Sequence, residues 1–325
     1  MDDRDGIEIL EPGLLTTVQD LGRFGYQRLG LPAAGAMDPY ALMAANLLVG
    51  NSQGVAGLEI TMLGPKLLFH APCVVAVTGA DLAPRIDGQE VQGWRPHLVR
   101  SGSVLEFGGR RSGARSYLAV SGGIALPPWL GSRSTYLMAA VGGLEGRALR
   151  QGDRLPMGSS AASILGLSRL ELPSHLRPSY SPHPRVRVIL GPHADRFTDQ
   201  GIADFLSGDY DVTSTSNRMG YRLNGPTIAH TRGPDLISCG IPLGGIQVPG
   251  NGQPIILMAD HQTTGGYTMI ATVIQADIPL VAQCLPGENV SFQSVGLEEA
   301  RESYRSLLGG LHDAVATREV NIWEM

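Results

Sequence analysis

Apolar residues along this chain come in short runs, many alternating with polar ones, and glycine or proline usually ends the run. The pattern reads as strand over residues 7–10, 58–62, 66–69, 74–78, 104–107, 116–120, 186–190, 221–223, 255–258, 267–274 and 290–292. Stretches of that length bounded by turn residues bury one or both faces of a sheet. Asp87-Gly88 and Asn251-Gly252 supply the pairs that tight hairpins favour. Helices are few. Residues 38–49 carry Asp38 as N-cap, Pro39 at the first helical position and Gly50-Asn51 as a stop. A second helix is expected over 195–206, weakened by Gly201. A third is expected over 297–308, with Glu298, Glu299, Arg301 and Arg305 on a charged face. The expected fold is mainly β with a few short helices.

Four prolines interrupt the pattern between Leu172 and Arg185, and a new β unit opens beyond them. This linker divides the chain into an N-terminal β lobe, 1–182, and a C-terminal β lobe, 183–325. The lobes share a faint echo, LGPKLLF before GSVLEF and LNGPTI before GENVSF. Pattern alone leaves duplication and recurrent Gly-Pro turns evenly balanced.

Composition narrows the function classes. The 325 residues suffice for a large core, and with 43% hydrophobic and 17% charged residues they leave apolar surface for a permanent partner. Net charge is −5 with no basic stripe, which gives nucleic-acid binding no support. The first ten residues lack the basic and apolar regions of a signal peptide, and no apolar stretch reaches the ~18 residues of a bilayer span. Cys73, Cys239 and Cys284 are odd in number and far apart, as expected of reduced thiols rather than disulfides or zinc ligands. The expectation is a cytoplasmic protein with no metal and no membrane partner. Lys66, the only lysine, sits in GPKLL. Neither a Walker A Gly-Lys-[Ser/Thr] nor the Met-Lys-Met of covalent biotin is present, so any nucleotide or biotin must bind reversibly.

Four polar stretches carry candidate chemistry. In LLTTVQDLGRFGYQRLGLPAAGAMD, residues 14–38, Arg23 and backbone N–H groups could hold an anion. The same loop also reads as an Asp20–Arg23 surface pair followed by an Asp38 cap. In STSNRMGYRLNG, Asn217 and Arg218 offer donors suited to a carboxylate or phosphate, or else form a turn with Asn217 left-handed and Arg218 solvated. GIPLGGIQVPGNGQ places Gln247 between apolar neighbours, as a structural bridge or a ligand contact. Finally, PIILMADHQTTGGYTMIATVIQADI leads an apolar strand into one short turn rich in polar groups. There Gly265 and Gly266 allow close backbone approach, and Thr263 and Thr264 add hydroxyls. Asp260 could orient an amide or accept a proton, and His261 is a base by type. No Ser–His–Asp, Cys–His or HExxH arrangement appears. The residues themselves lead to a glycine-lined polar pocket on a β scaffold for a small anionic or amide-bearing ligand.

GLLTTVQDLGRFGYQRLGLPAAGAMD, ANLLVGN, LEIT, SNRMGYRLNG, GIQVPGNGQPIILMADHQTTGGY and LPGENVSF, in this order, resemble the carboxyltransferase C/D-subunit family. This is the family of the 5-oxoprolinase C subunit, also described as KipA-like or allophanate hydrolase subunit 2-like. The resemblance implies a cyclophilin-like β-barrel architecture, a KipI-like B subunit for a partner and a separate A subunit. It further implies a complex that uses ATP to open 5-oxo-L-proline to L-glutamate, the location of ATP within the complex being left open. Asp260, Gln262, Thr263 and Thr264 match its motif and are the expected catalytic set. Asp20, Arg23, Asp38, Asn217, Arg218, Gln247, Gly265 and Gly266 are the expected substrate contacts, and His261 carries no role. Two alternatives follow from the same family: a carboxyltransferase component of a biotin-dependent urea or amide carboxylase, and a non-enzymatic regulator that binds a KipI-like kinase inhibitor.

Overall fold

Ile7 and Ile9 are buried while Glu8 between them is partly exposed, and the same alternation recurs over residues 66–69 and 185–190. The computed structural model describes residues 6–160 and 171–319. The chain divides into two compact units, one of Met1–Arg23, Ala34–Pro178 and Gly309–Met325, the other of Phe24–Ala33 and Ser179–Leu308.

The first unit contains β1 (Gly6–Glu11), β2 (Leu15–Gln19), helix α1 (Pro39–Leu48), β3 (Gly57–Thr61), β4 (Lys66–Phe69), β5 (Cys73–Asp81) and β6 (Pro84–Ile86). It continues with β7 (Gln89–Glu90), β8 (Pro96–Val99), β9 (Val104–Phe107), β10 (Ser112–Val120) and β11 (Arg154–Pro156). One sheet runs β11-β1-β4-β9-β6-β7 and the other β2-β3-β10-β5-β8. Ile7, Ile9, Leu67 and Phe69 of the first sheet share a core with Leu58, Ile60, Val75, Leu118 and Val120 of the second. The second sheet is also covered on its other face. Helix α1 packs there on β5 and β10, with Leu42 against Tyr117, so β10 is buried almost throughout. Asp87-Gly88 joins β6 to β7 with both residues at positive φ, the geometry that matches strand twist.

The second unit contains β12 (Arg185–Leu190), α2 (Asp199–Ser207), β13 (Asp209–Val212), β14 (Gly220–Asn224), β15 (Asp235–Gly240), β16 (Gly245–Gln247) and β17 (Ile255–Leu257). After these come β18 (Thr264–Tyr267), β19 (Met269–Val273), α3 (Ile278–Ala282), β20 (Asn289–Ser294) and the start of α4 (Leu297–Glu319), whose residues from Gly309 on belong to the first unit. Seven strands close a barrel in the order β12-β19-β16-β17-β14-β13-β20, with β12 and β20 parallel. Phe292 of β20 stacks on Phe205 of α2 at 4.5 Å and tilts against Tyr210 of β13 at 5.8 Å, filling the barrel where β13 meets β20. β15 and β18 stand apart as a two-stranded ribbon. The mainly β, barrel-containing architecture is thus the one expected.

Four local readings change. Residues 267–274 are not one strand: the run breaks at the fully buried Thr268, whose Oγ1 lies 2.9 Å from His230 Nε2. Thr264, Gly265 and Gly266 belong to strand β18 instead of a turn. Helix α2 begins at Asp199, because Thr198 caps it by accepting from Gly201 N at 2.9 Å, and α4 is a 23-residue helix rather than a short one.

All three cysteines are free, but only Cys239 is partly exposed. Burial pushes the Cys73 thiol up to about 12. One equivalent of maleimide is therefore expected to react with the native protein, at Cys239. Peptide mapping that finds Cys73 labelled before unfolding would contradict this packing.

Candidate functional site

The predicted residues fall into two groups, one in each unit. In the first unit Asp20 follows β2 and is 8% exposed. Its Oδ1 accepts from Gly22 N at 2.8 Å, Ser132 Oγ at 2.7 Å and Ser134 Oγ at 2.5 Å, while Oδ2 accepts from Arg133 N at 2.5 Å. One carboxylate thus ties residues 132–134 to the end of β2. Arg23, 1% exposed, donates from Nη2 to the backbone carbonyl of Ser134, and its guanidinium carbon lies 5.1 Å from the Trp129 ring centroid. Both side chains are buried, so the surface-pair reading does not hold. Asp38 is fully buried and caps α1, its Oδ1 accepting from Ala41 N at 2.9 Å. Its own N–H donates to Tyr117 Oη, which donates to Glu59 Oε2, each at 2.8 Å. Burial and the neighbouring Glu59 hold the Tyr117 phenol well above its ordinary range, so it remains a donor. Ser132, Ser134, Glu59 and Tyr117 were invisible as partners in the sequence, because each lies far along the chain from the residue it serves.

In the second unit the geometry joins two residues from separate stretches. Arg218 donates from Nε to Asp260 Oδ2 at 2.9 Å and from Nη2 to Oδ1 at 3.0 Å, and Asp260 N donates to the Arg218 carbonyl at 2.9 Å. Both side chains are buried. The fork read in Arg218 is aimed at a carboxylate of its own chain, and Arg218 is not solvated. Asn217 is exposed and closes a turn by accepting from Met219 N at 2.8 Å, without a left-handed backbone. His261 bridges two carbonyls, with Nδ1 2.6 Å from Met258 O and Nε2 3.2 Å from Ile241 O. A neutral imidazole can donate to only one of them, and neither nitrogen is left facing a ligand.

Beyond this anchor the chain rises into the ribbon. Gln262 and Thr264 are exposed, Thr263 is partly buried and its carbonyl accepts from Ile241 N at 3.3 Å. Gly265 pairs with Cys239 and Thr264 with Gly240. Gln247 on β16 is 2% exposed, and its Nε2 has no hydrogen-bond partner among the described residues. Gly265 lies against that amide. The second-unit stretch therefore offers an exposed amide, an exposed hydroxyl and a buried donor, set on a rigid ion pair. It can bind and orient a small polar molecule.

A cavity of about 690 Å³ in the first unit is lined by other residues, among them Asp81, Glu90, Trp94, Arg111 and Arg177. Its arginines are already paired, Arg111 with Glu90 and Arg177 with Glu171, each at 2.6 Å. None of the predicted residues lines it. Among the described residues no group of three His, Cys, Asp or Glu side chains could hold a metal ion, and no helix is long and apolar enough to cross a membrane.

Residues 29–294 match the family described as carboxyltransferase domain, subdomain A and B. The chain is 42% identical to the 5-oxoprolinase C subunit of Escherichia coli (strain K12), over 90% of this chain and 93% of that protein. It is 37% identical to the 5-oxoprolinase C subunit of Haemophilus influenzae, over 92% of this chain and 94% of that one. The crystal structure of the K. lactis urea amidolyase is similar with a TM-score of 0.90 at 34% identity, covering 97% of this chain but 20% of that much longer one. The chain belongs to the carboxyltransferase domain family, subdomains A and B.

Proposed function

We propose that this protein is the C subunit of an ATP-dependent 5-oxoprolinase complex that hydrolyses 5-oxo-L-proline to L-glutamate. The observation that carries the proposal is the 42% identity over nearly the full length of both chains with a protein named as the C subunit of a 5-oxoprolinase. The urea amidolyase similarity supports the carboxyltransferase alternative less, because there the matched region is 20% of a larger enzyme. In the reaction water supplies a hydroxyl to the lactam carbonyl carbon, the C–N bond breaks and nitrogen takes the proton, while ATP is hydrolysed to ADP and phosphate.

This chain's part is to bind and orient the lactam. Gln262 and Thr264 face outward to meet it, and Thr263, Gly265 and Gly266 shape the backbone beside it. The Arg218–Asp260 pair holds the start of that stretch in place. Asp20, Arg23 and Asp38 fix the loops of the first unit. Asn217 sets the turn that aims Arg218. The ATP requirement comes from the family resemblance. Lys66 lies on β4 with Nζ 3.3 Å from Glu106 Oε2, a poor fit to a phosphate-binding lysine, so no ATP step is assigned to this chain's residues. Both His261 ring nitrogens face backbone carbonyls, so no proton-transfer role is assigned to it. The proposed partners are a KipI-like B subunit and an A subunit. The three free thiols support a cytoplasmic setting.

Co-expression with candidate A and B subunits tests the reading. At micromolar concentration the chain is expected to co-elute with the B subunit, and glutamate release is expected to require all three proteins. Separate elution of this chain, with full activity from the other two, would refute it.

A further inference from the structure

The start of helix α4 covers the outside of the barrel only in part. Arg187 of β12 donates from Nη1 to Ser303 Oγ at 2.7 Å, which ties the outward face of that strand to the helix. Ile189, two residues on, shares that face, and Thr272 of β19 is its cross-strand partner. Between these strands and the helix lies a groove of about 510 Å³. Residues along α4 sort by chemistry around it. At 3.6 residues per turn, Leu297, Arg301, Tyr304 and Arg305 fall on one flank, which lines the groove, and Glu298, Glu299 and Glu302 fall on the next. The groove therefore carries two guanidinium groups, a phenol and apolar side chains but no carboxylate, on a chain of net charge −5. Arg301 meets Glu298 at 3.0 Å, yet both side chains are more than half exposed, so the pair is weak and readily exchanged. Arg305 has no ion pair among the described residues. Leu297 is 54% exposed at the mouth of this groove.

We infer that this groove seats a segment of the B subunit in which carboxylates flank apolar side chains. The inference rests on the 5-oxoprolinase reading, which supplies the B subunit. Arginine and tyrosine are enriched at protein interfaces while lysine, glutamate and aspartate are depleted there, and the groove has that composition. Charge sets the sign of the partner. Two arginines at i and i+4 on one flank present their forks side by side, and carboxylates of the incoming segment satisfy them. Leu297 and Tyr304 supply the apolar contact, and the arginines fix the register of the segment.

The test is the affinity of the full chain for the purified candidate B subunit, measured by calorimetry, with thermal melting of every variant. Leu297→Asp places a carboxylate in the groove at the first turn of α4, where the helix dipole favours it, so the variant should fold. Arg301→Glu/Arg305→Glu reverses the charge of the rim. Each is expected to raise Kd about 10-fold or more. Arg232→Glu, at an exposed arginine elsewhere on the second unit, controls for net charge and should leave Kd within about twofold of wild type. Added salt should weaken wild-type binding more than binding of the double variant. A Kd within about twofold of wild type in folded Leu297→Asp or in the folded double variant overturns the inference. Should the double variant not fold, Leu297→Asp decides alone. Groove variants that change only self-association of this chain, or only its uptake of octanoate, also overturn it, since the groove then seats a second copy or a small carboxylate. A wild-type chain that does not bind the B subunit refutes the complex itself, and the inference falls with it, so the two failures are distinguishable.

Discussion

Asp260→Asn is expected to destabilise the second unit by about 3 kcal/mol or more, because it removes the charge that neutralises a buried guanidinium. Arg218 and Asp260 meet through two nearly parallel hydrogen bonds at 2.9 and 3.0 Å, with both side chains buried. Asparagine keeps the shape and one acceptor, but leaves Arg218 with an uncompensated charge away from water. The decisive comparison is the double variant Arg218→Met/Asp260→Leu. Replacing the whole pair by apolar groups removes the unpaired charge, so the double variant should be less destabilised than Asp260→Asn alone. Denaturant unfolding measures both. Turnover per folded molecule should fall less than stability does, since the pair positions the stretch that follows. Intact stability with turnover lost on the order of 10²-fold would instead place the Asp260 carboxylate on the substrate itself.

The second large effect is expected in the other unit. Asp20→Ala strands four donors at once: Gly22 N, Ser132 Oγ, Arg133 N and Ser134 Oγ. Each unsatisfied buried donor costs about 1–3 kcal/mol, and with partial relaxation the total should reach about 4 kcal/mol. Asp20→Asn should cost less, since it retains one acceptor oxygen. The local signature is as informative as the total. Amide exchange at Gly22 and Arg133 should accelerate before the exchange of β10 does, because the carboxylate holds a loop and not the core. Unchanged stability combined with lost activity would mean that Asp20 faces a ligand.

The contrast between the two units shows what was legible in the sequence. Strands such as β4 and β9 were read at their observed boundaries because apolar residues and turn punctuation agree there. The α1 cap was equally plain, since Asp38, Pro39 and the stop signal are local in sequence. β2 was missed because Val18 is its one fully buried apolar residue, set among buried Thr16, Thr17 and Gln19, polar residues that no hydrophobic pattern marks. The same limit applies to the site. Asp260 and Arg218 were each picked out by residue type, yet their partnership spans 42 positions and becomes visible only when β14 pairs with β17. Gly265 and Gln247 were likewise read singly. Their contact depends on the ribbon folding over β16, a register that sequence spacing does not encode.

The most direct test of the functional account offers one reconstituted complex two substrates. In one arm it receives 5-oxo-L-proline with ATP, in the other urea with ATP, bicarbonate and a biotinylated carrier with its carboxylase. The account predicts L-glutamate and ADP in equal amounts in the first arm, no carboxylated urea in the second, and loss of glutamate when this chain is omitted. Carboxylation of urea that depends on this chain, with no glutamate formed from 5-oxo-L-proline, would contradict it.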